Sequence, residues 1–148
     1  MPNYAINKKA GFDYEFLEKY EAGLALTGQE VKSIRTGHVS LNGSFVTFYN
    51  NQPYLINTHI PPYRFAGKLK NYEPERSRAL LLKEKEISYL RGKIQEKGLT
   101  IVPISLYTKG RHIKLEIAVA RGKKKYDKRE TIKKRELDRE IGKKLKKY

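Results

Sequence analysis

Cysteine and tryptophan are absent from this chain of 148 residues, methionine occurs once, and acidic side chains number 16 against 32 Lys and Arg. Without thiols there is no disulfide framework, no cysteine-ligated zinc and no thiol nucleophile. No window supplies the roughly 20 consecutive apolar residues of a membrane-spanning helix. The opening MPNYAINKKAGFDY has no apolar stretch of the signal-peptide type, so the chain is expected to be soluble and cytoplasmic. The three histidines, His38, His59 and His112, fall in separate segments, and none has a partner at the spacing that puts two metal ligands on one helix face. No nucleophile elbow, P-loop or dinucleotide-binding glycine pattern occurs. Neither catalysis nor a metal or cofactor is expected. A hydrolase would have to assemble its carboxylates in space, Glu21 and Glu30 for example.

What the sequence has is positive charge, a formal net of +16. An excess of this size favours a polyanionic partner through counterion release and long-range steering. The charge is uneven. Residues 121–148 carry fourteen Lys and Arg against five Asp and Glu, a net of +9, which leaves +7 for residues 1–120. The division near Arg121 suggests a body, 1–120, and a basic tail, 121–148. Eleven tyrosines and five phenylalanines are interleaved with the cations, a combination that serves base stacking and phosphate contact together. Most of these rings are expected to fill a core. The paired aromatics of the four-stranded RNA-binding sheet and the G-x-x-G clamp are both missing.

In the body, short apolar runs alternate with turn residues: YEFLEKYEAGLAL, SFVTFY, PYLINTHI, RALLL, LTIVPISLYTK and HIKLEIAVA. This punctuation belongs to strands. In the last run Ile113, Leu115, Ile117 and Val119 share one face, with Lys114 and Glu116 on the other. NNQP after Tyr49 and KGRH after Thr108 are hairpin turns in the making. Pro103, which has no ladder donor, belongs at a bulge or an edge. Two helices are expected among the strands. One begins at a Thr27/Glu30 capping box and stops at Gly37; the other places Ile87, Leu90 and Ile94 on one face and ends at Gly98. The pattern predicts a mostly β fold: a small antiparallel closed barrel of the oligonucleotide-binding (OB) type with two inserted helices.

The tail reads differently. Asp127 and Glu130 form a capping pair, and Ile132, Leu137, Ile141, Leu145 and Tyr148 make a thin apolar stripe on an otherwise charged helix. So narrow a stripe does not offset the entropy of ordering by itself. The tail is therefore disordered or helical when free, and suited to folding on an RNA surface.

NKKAGFDY, YEAGLALTGQEVKSIRTG, RALLLKEKEI, KGLTIVPISLY and ARGKKKYDKRE, taken in order, resemble the SsrA-binding protein (small protein B, SmpB) family over nearly the whole chain. The resemblance implies an OB-type barrel that binds the tRNA-like domain of transfer-messenger RNA (tmRNA) and serves trans-translation, the rescue of stalled ribosomes with tagging of their incomplete products. The implied partners are tmRNA, elongation factor Tu, and the decoding site and messenger channel of the small ribosomal subunit, with no reaction catalysed. A general RNA-binding or ribosome-associated role on the same barrel is the alternative. By matching motif, Asn7, Lys8, Lys9 and Glu21 fall at the family's RNA-binding face. Leu81 falls in a second cluster and is equally consistent with a core position. Lys32 and Arg35 are assigned to phosphate by charge. Lys83 and Phe12 stand where the family commonly has other hydrogen-bonding side chains. In the tail motif Gly122, Lys123, Lys124, Asp127, Lys128 and Arg129 match, and Tyr126 replaces a common histidine, keeping a ring that stacks but not one that titrates near neutrality. The stripe residues Ile132, Leu137 and Ile141 complete the expected ribosome-binding tail.

Overall fold

The computed structural model describes residues 3–65, 67 and 71–123 together with Arg129, Lys133, Arg135, Glu136 and Arg139. The elements follow as β1 (Asn3–Ile6), α1 (Lys8–Asp13), β2 (Tyr14–Leu24), α2 (Gly28–Arg35), β3 (Phe45–Tyr49), β4 (Gln52–Ile56), β5 (Arg78–Leu81), α3 (Glu84–Ile94), β6 (Leu99–Lys109) and β7 (His112–Gly122). The alternation in HIKLEIAVA becomes β7, whose Ile113, Leu115, Ile117 and Val119 are buried in the main core beside Leu80, Leu90 and Leu106. Ala120, also buried, joins Ala10 and Val102 in a small second cluster beneath α1.

All pairings are antiparallel, in the order β1-β6-β7-β2-β5-β4-β3. Both expected hairpins form. Asn50 and Asn51 turn β3 into β4 with φ of 49° and 65°, the left-handed pair that a two-residue turn requires. Gly110 (φ 61°) and Arg111 turn β6 into β7. Pro103 sits opposite Ile117, where the register of β6 shifts, so its missing donor falls at a bulge.

Two expectations are corrected. The sheet is not closed by hydrogen bonds: β3 lies alongside β6, so the sheet curls round, yet among the described residues no pairing joins β3 to β6 or β1. β1 takes the outer edge of β6 at Ser105–Tyr107 instead. Within residues 3–123 the described residues also form three helices, not two. The sequence of α1, KKAGFD, has no apolar repeat; it is held by its N-cap, the Asn7 Oδ1 accepting from the Ala10 N–H at 3.1 Å, and by burial of Ala10.

α2 forms as its caps direct. Thr27 and Glu30 make the reciprocal capping box. At the other end the Gly37 N–H donates to the Ile34 carbonyl and the His38 N–H to that of Ser33, a Schellman closure with Gly37 at φ 83°. Glu30 is 1% exposed and does more than cap: Arg76 Nη2 and Arg78 Nε donate to its two carboxylate oxygens, each at 2.6 Å. Arg78, fully buried, also donates to the carbonyls of Thr58 (2.8 Å) and Pro74 (2.9 Å). One buried carboxylate thus ties α2 to β5 and to the segments before it. In α3 Leu90 is fully buried, and the helix stops at Ile94, short of Gly98, because the N–H groups of Gln95 and Glu96 take the tighter i−3 carbonyls.

The five described residues beyond Lys123 are helical and exposed. Arg135 Nη2 donates to the Lys8 carbonyl at 3.4 Å, and its guanidinium stands 5.7 Å from the centre of the Phe12 ring. Lys124, Tyr126, Asp127, Lys128, Ile132, Leu137 and Ile141 lie outside the described residues.

Candidate nucleic-acid interface

The β6–β7 hairpin and β2 form a three-strand surface on which period-2 alternation puts the charged side chains outward. Glu21 of β2 pairs with Glu116 of β7, and Lys114 of β7 with Tyr107 of β6. Two carboxylates directly opposite would repel. Glu21 is instead held from β6: the Tyr107 hydroxyl donates to its Oε2, and Lys109 Nζ to its Oε1 at 3.2 Å. The hydrogen bond from Tyr107 and then that from Lys109 hold the Glu21 carboxyl below the usual range. Burial, with the Glu21 hydrogen bond second, pushes the Tyr107 hydroxyl up. The phenol therefore stays protonated and donating at neutral pH, and Glu21 stays charged.

Next to this network Leu81 stands over Gly23. Leu81 is 58% exposed although apolar, and a Cβ at Gly23 would meet the Leu81 Cβ at 3.2 Å, so the glycine is what lets β5 come this near to β2. Gly23, Val31, Arg35, Leu81, Arg111 and Lys114 line one cleft of about 200 Å³. Arg35 reaches over from α2, its Nη2 donating to the Arg111 carbonyl at 3.0 Å. An apolar floor rimmed by Arg35, Arg111 and Lys114, with Lys109 held nearby by Glu21, suits a ribose-phosphate backbone carrying an exposed base or sugar face.

The residues assigned from sequence divide into groups. Glu21, Arg35 and Leu81 are brought to this surface. Lys83, at the N-cap of α3, is exposed two residues beyond Leu81. Lys32, also exposed, lies beside Tyr63. Lys8 and Lys9 are exposed on α1, beside the root of the tail: the Lys123 N–H donates to the Asp13 carbonyl at 2.8 Å and its Nζ to that of Gly11 at 3.1 Å. Asn7 is 5% exposed, with its amide engaged at both ends, to Ala10 and to the Pro103 carbonyl (2.9 Å). Its side chain sets the entry of α1. Tyr107, Lys109, Arg111 and Lys114 escaped selection from the sequence. The clue was the turn at KGRH, which with strict alternation sets Tyr107 against Lys114. Glu30, read as a cap, belongs to the arginine network and not to a carboxylate pair with Glu21. Among the described residues no group of acidic or histidine side chains is placed to hold a metal ion, and no helix is long and apolar enough to cross a membrane.

Against known proteins, the family profile described as SmpB protein matches residues 4–147. The chain belongs to the SmpB family. An SsrA-binding protein of Carboxydothermus hydrogenoformans is 54% identical over 141 residues, covering 95% of this chain and 94% of its own. The SsrA-binding protein of Thermosipho africanus is 53% identical over 147 residues, 99% of this chain and 98% of its own. A solved SmpB-family chain, from the work described as "tmRNA-SmpB: a journey to the center of the bacterial ribosome", superposes with a TM-score of 0.68 at 44% identity, covering 86% of this chain and 92% of the other.

Proposed function

We propose that this chain binds the tRNA-like domain of tmRNA through the face built on Glu21, Leu81, Lys114 and Arg35 and, with elongation factor Tu, brings it to stalled ribosomes for rescue and tagging. The observation that carries the reading is the match over 86% of the chain to a solved tmRNA-SmpB protein, to which the cationic cleft supplies a physical basis. The curled sheet serves as an OB-type barrel presenting that cleft. The tail, from Gly122 through Ile141, takes the decoding site and messenger channel. The protein contributes binding and placement in the cytoplasm and leaves the chemistry to its partners. If total tRNA displaced a tRNA-like-domain RNA as well as unlabelled tRNA-like domain does, the chain would be a general RNA binder.

Neutralising about six phosphates gives an expected log-log dependence of affinity on salt of about −4 to −5. Lys114→Ala is expected to make that slope shallower by about 1, as loss of one phosphate contact does. Anisotropy titrations across a salt series would read both, and a flat response would contradict the electrostatic part of the proposal.

Glu21→Gln keeps the shape and removes the charge that holds Lys109. Weaker binding of the tRNA-like domain is expected, with unchanged circular dichroism, because Lys109 loses its ion-pair partner and swings free. Unchanged affinity would remove Glu21 from the interface.

A further inference from the structure

α2 is the wall between two clefts. Val31 and Arg35 face the one already described, while Ser33 and Thr36 face a second, of about 220 Å³, lined also by His38, Tyr63, Arg64 and Phe65. Its far side is a fixed strand of backbone. Ile60 is buried in the main core, the Pro61 carbonyl accepts from Ser33 Oγ at 2.7 Å, and the Tyr72 hydroxyl donates to the Ile60 carbonyl at 2.7 Å. Two prolines, Pro61 and Pro62, stiffen the approach. From this anchored base Tyr63 and Phe65 project as an edge-to-face pair, ring centres 5.6 Å apart. Each carries a cation: Lys32 Nζ lies 5.7 Å from the Tyr63 ring and the Arg64 guanidinium 5.2 Å from that of Phe65. Phe65 is 74% exposed, so the ring is presented to solvent and not spent in the core.

We infer that Tyr63, Phe65, Lys32 and Arg64 form a stacking platform for an unpaired base of the bound RNA. A solvent-facing ring with a half-buried one beside it, carried on a segment pinned at its base and with positive charge at the ring faces, combines the two features by which proteins hold single-stranded nucleotides: a π surface for the base and cations for the flanking phosphates. Among the described residues no carboxylate lines the cleft, which disfavours a cationic ligand in an aromatic cage and leaves a polyanion as the complementary partner. A helix is about 10–12 Å across with its side chains, so an RNA strand crossing α2 from the Leu81 cleft reaches the platform within a few nucleotides. The inference rests on the RNA-binding reading above and adds a base-dependent contact to it.

The test uses the full-length chain with two RNA probes, a hairpin with an unpaired loop and a fully paired duplex of equal phosphate number, titrated by fluorescence anisotropy. Phe65→Ala is expected to weaken the hairpin about tenfold, the scale of one base-aromatic stack, to leave the duplex unchanged, and to be rescued by Phe65→Tyr. The exposed position keeps the fold out of the result. Equal affinity of the variant and the parent for the hairpin would overturn the platform as a base site and mark it for a protein partner. An equal loss on both probes would overturn it as well. The tmRNA reading is judged separately: Glu21→Gln weakening the tRNA-like domain while Phe65→Ala has no effect sinks only the platform. A parent chain that shows no preference for the tRNA-like domain sinks that reading and leaves the Phe65 dependence measurable.

Discussion

Arg78→Ala is expected to lower folding stability by about 3–5 kcal/mol, the scale of removing one partner from a buried ion pair. Truncation takes from the Glu30 carboxylate, which is 1% exposed, its buried cation, leaving only the half-exposed Arg76 to pair with it, and removes the donor to the Thr58 carbonyl and one of the two donors to that of Pro74. Urea unfolding followed by circular dichroism would measure it. Replacing both partners, Glu30→Gln with Arg78→Met, should cost less than the two single changes added together, because the double variant buries no lone charge. Acid should act on the same group. Burial pushes the Glu30 carboxyl up, but hydrogen bonds from Arg76, the Thr27 N–H and Arg78 outweigh it, and the net displacement is downward. A carboxyl whose pKa is lower folded than unfolded stabilises fully above its unfolded value, about 4.3 for glutamate. That contribution fades as pH falls below this value and through the folded one. Arg78→Ala removes one of the lowering influences and should shift the acid transition to higher pH. RNA affinity should weaken as well, since α2 carries Arg35 and Lys32. Stability unchanged within about 1 kcal/mol would mean that the network is replaced by water at no cost, contrary to the argument.

Deleting residues 127–148 is expected to leave binding to the tRNA-like domain nearly intact while abolishing peptide tagging in a reconstituted stalled-ribosome system. The body keeps its own +7 and its cleft, and the +9 segment has a different sequence character: a capping pair and an apolar stripe at helical spacing. A helix of roughly 16 to 18 residues is about 25 Å long. On the proposed reading a channel filled by messenger would exclude it and an empty one would admit it, so docking would report a stall. Serine at Ile132, Leu137 and Ile141 should impair tagging more than Lys→Arg changes do, because the stripe supplies packing that charge alone does not. Normal tagging by the truncated chain would reduce the tail to an electrostatic appendage.

The strands were legible where alternation was long. HIKLEIAVA and LTIVPISLYTK carry enough period-2 signal, between residues suited to tight turns, to fix β6, β7 and their hairpin. α2 was legible through Thr27, Glu30 and Gly37, each of which has a local role that sequence spacing displays. β1 and α1 were not: four residues of strand and six of helix bury little, and α1 depends on a side chain, Asn7, that reaches 96 positions along the chain to the Pro103 carbonyl. Closure of the sheet was beyond reach for a similar reason, since pairing between first and last strands is set by contacts far apart in sequence. At the site, Glu21 and Leu81 were found by family likeness and Arg35 by charge. Lys114, Tyr107 and Lys109 became visible only with the register, because their meaning lies in what stands opposite them. Nothing in RSRALLL sets Arg78 apart from the cations around it; only the fold engages all three of its guanidinium nitrogens.

β7 begins beside the cationic cleft and ends at the root of the tail, bonded along almost all of its length to β2 on one side and β6 on the other. From Lys114 to Gly122 is eight residues, about 27 Å at 3.4 Å each. The strand is thus a spacer of set length between whatever grips the cleft and whatever grips the tail. Point substitutions leave that length alone. Unless a bulge of the kind at Pro103 absorbs it, a single inserted residue would turn every side chain beyond it to the opposite face and empty the core, so regular lengthening comes by matched insertions in neighbouring strands, in steps of two residues or about 7 Å. The separation of the two surfaces is quantised, and adaptation to a different RNA or a different ribosome is left to the side chains at either end.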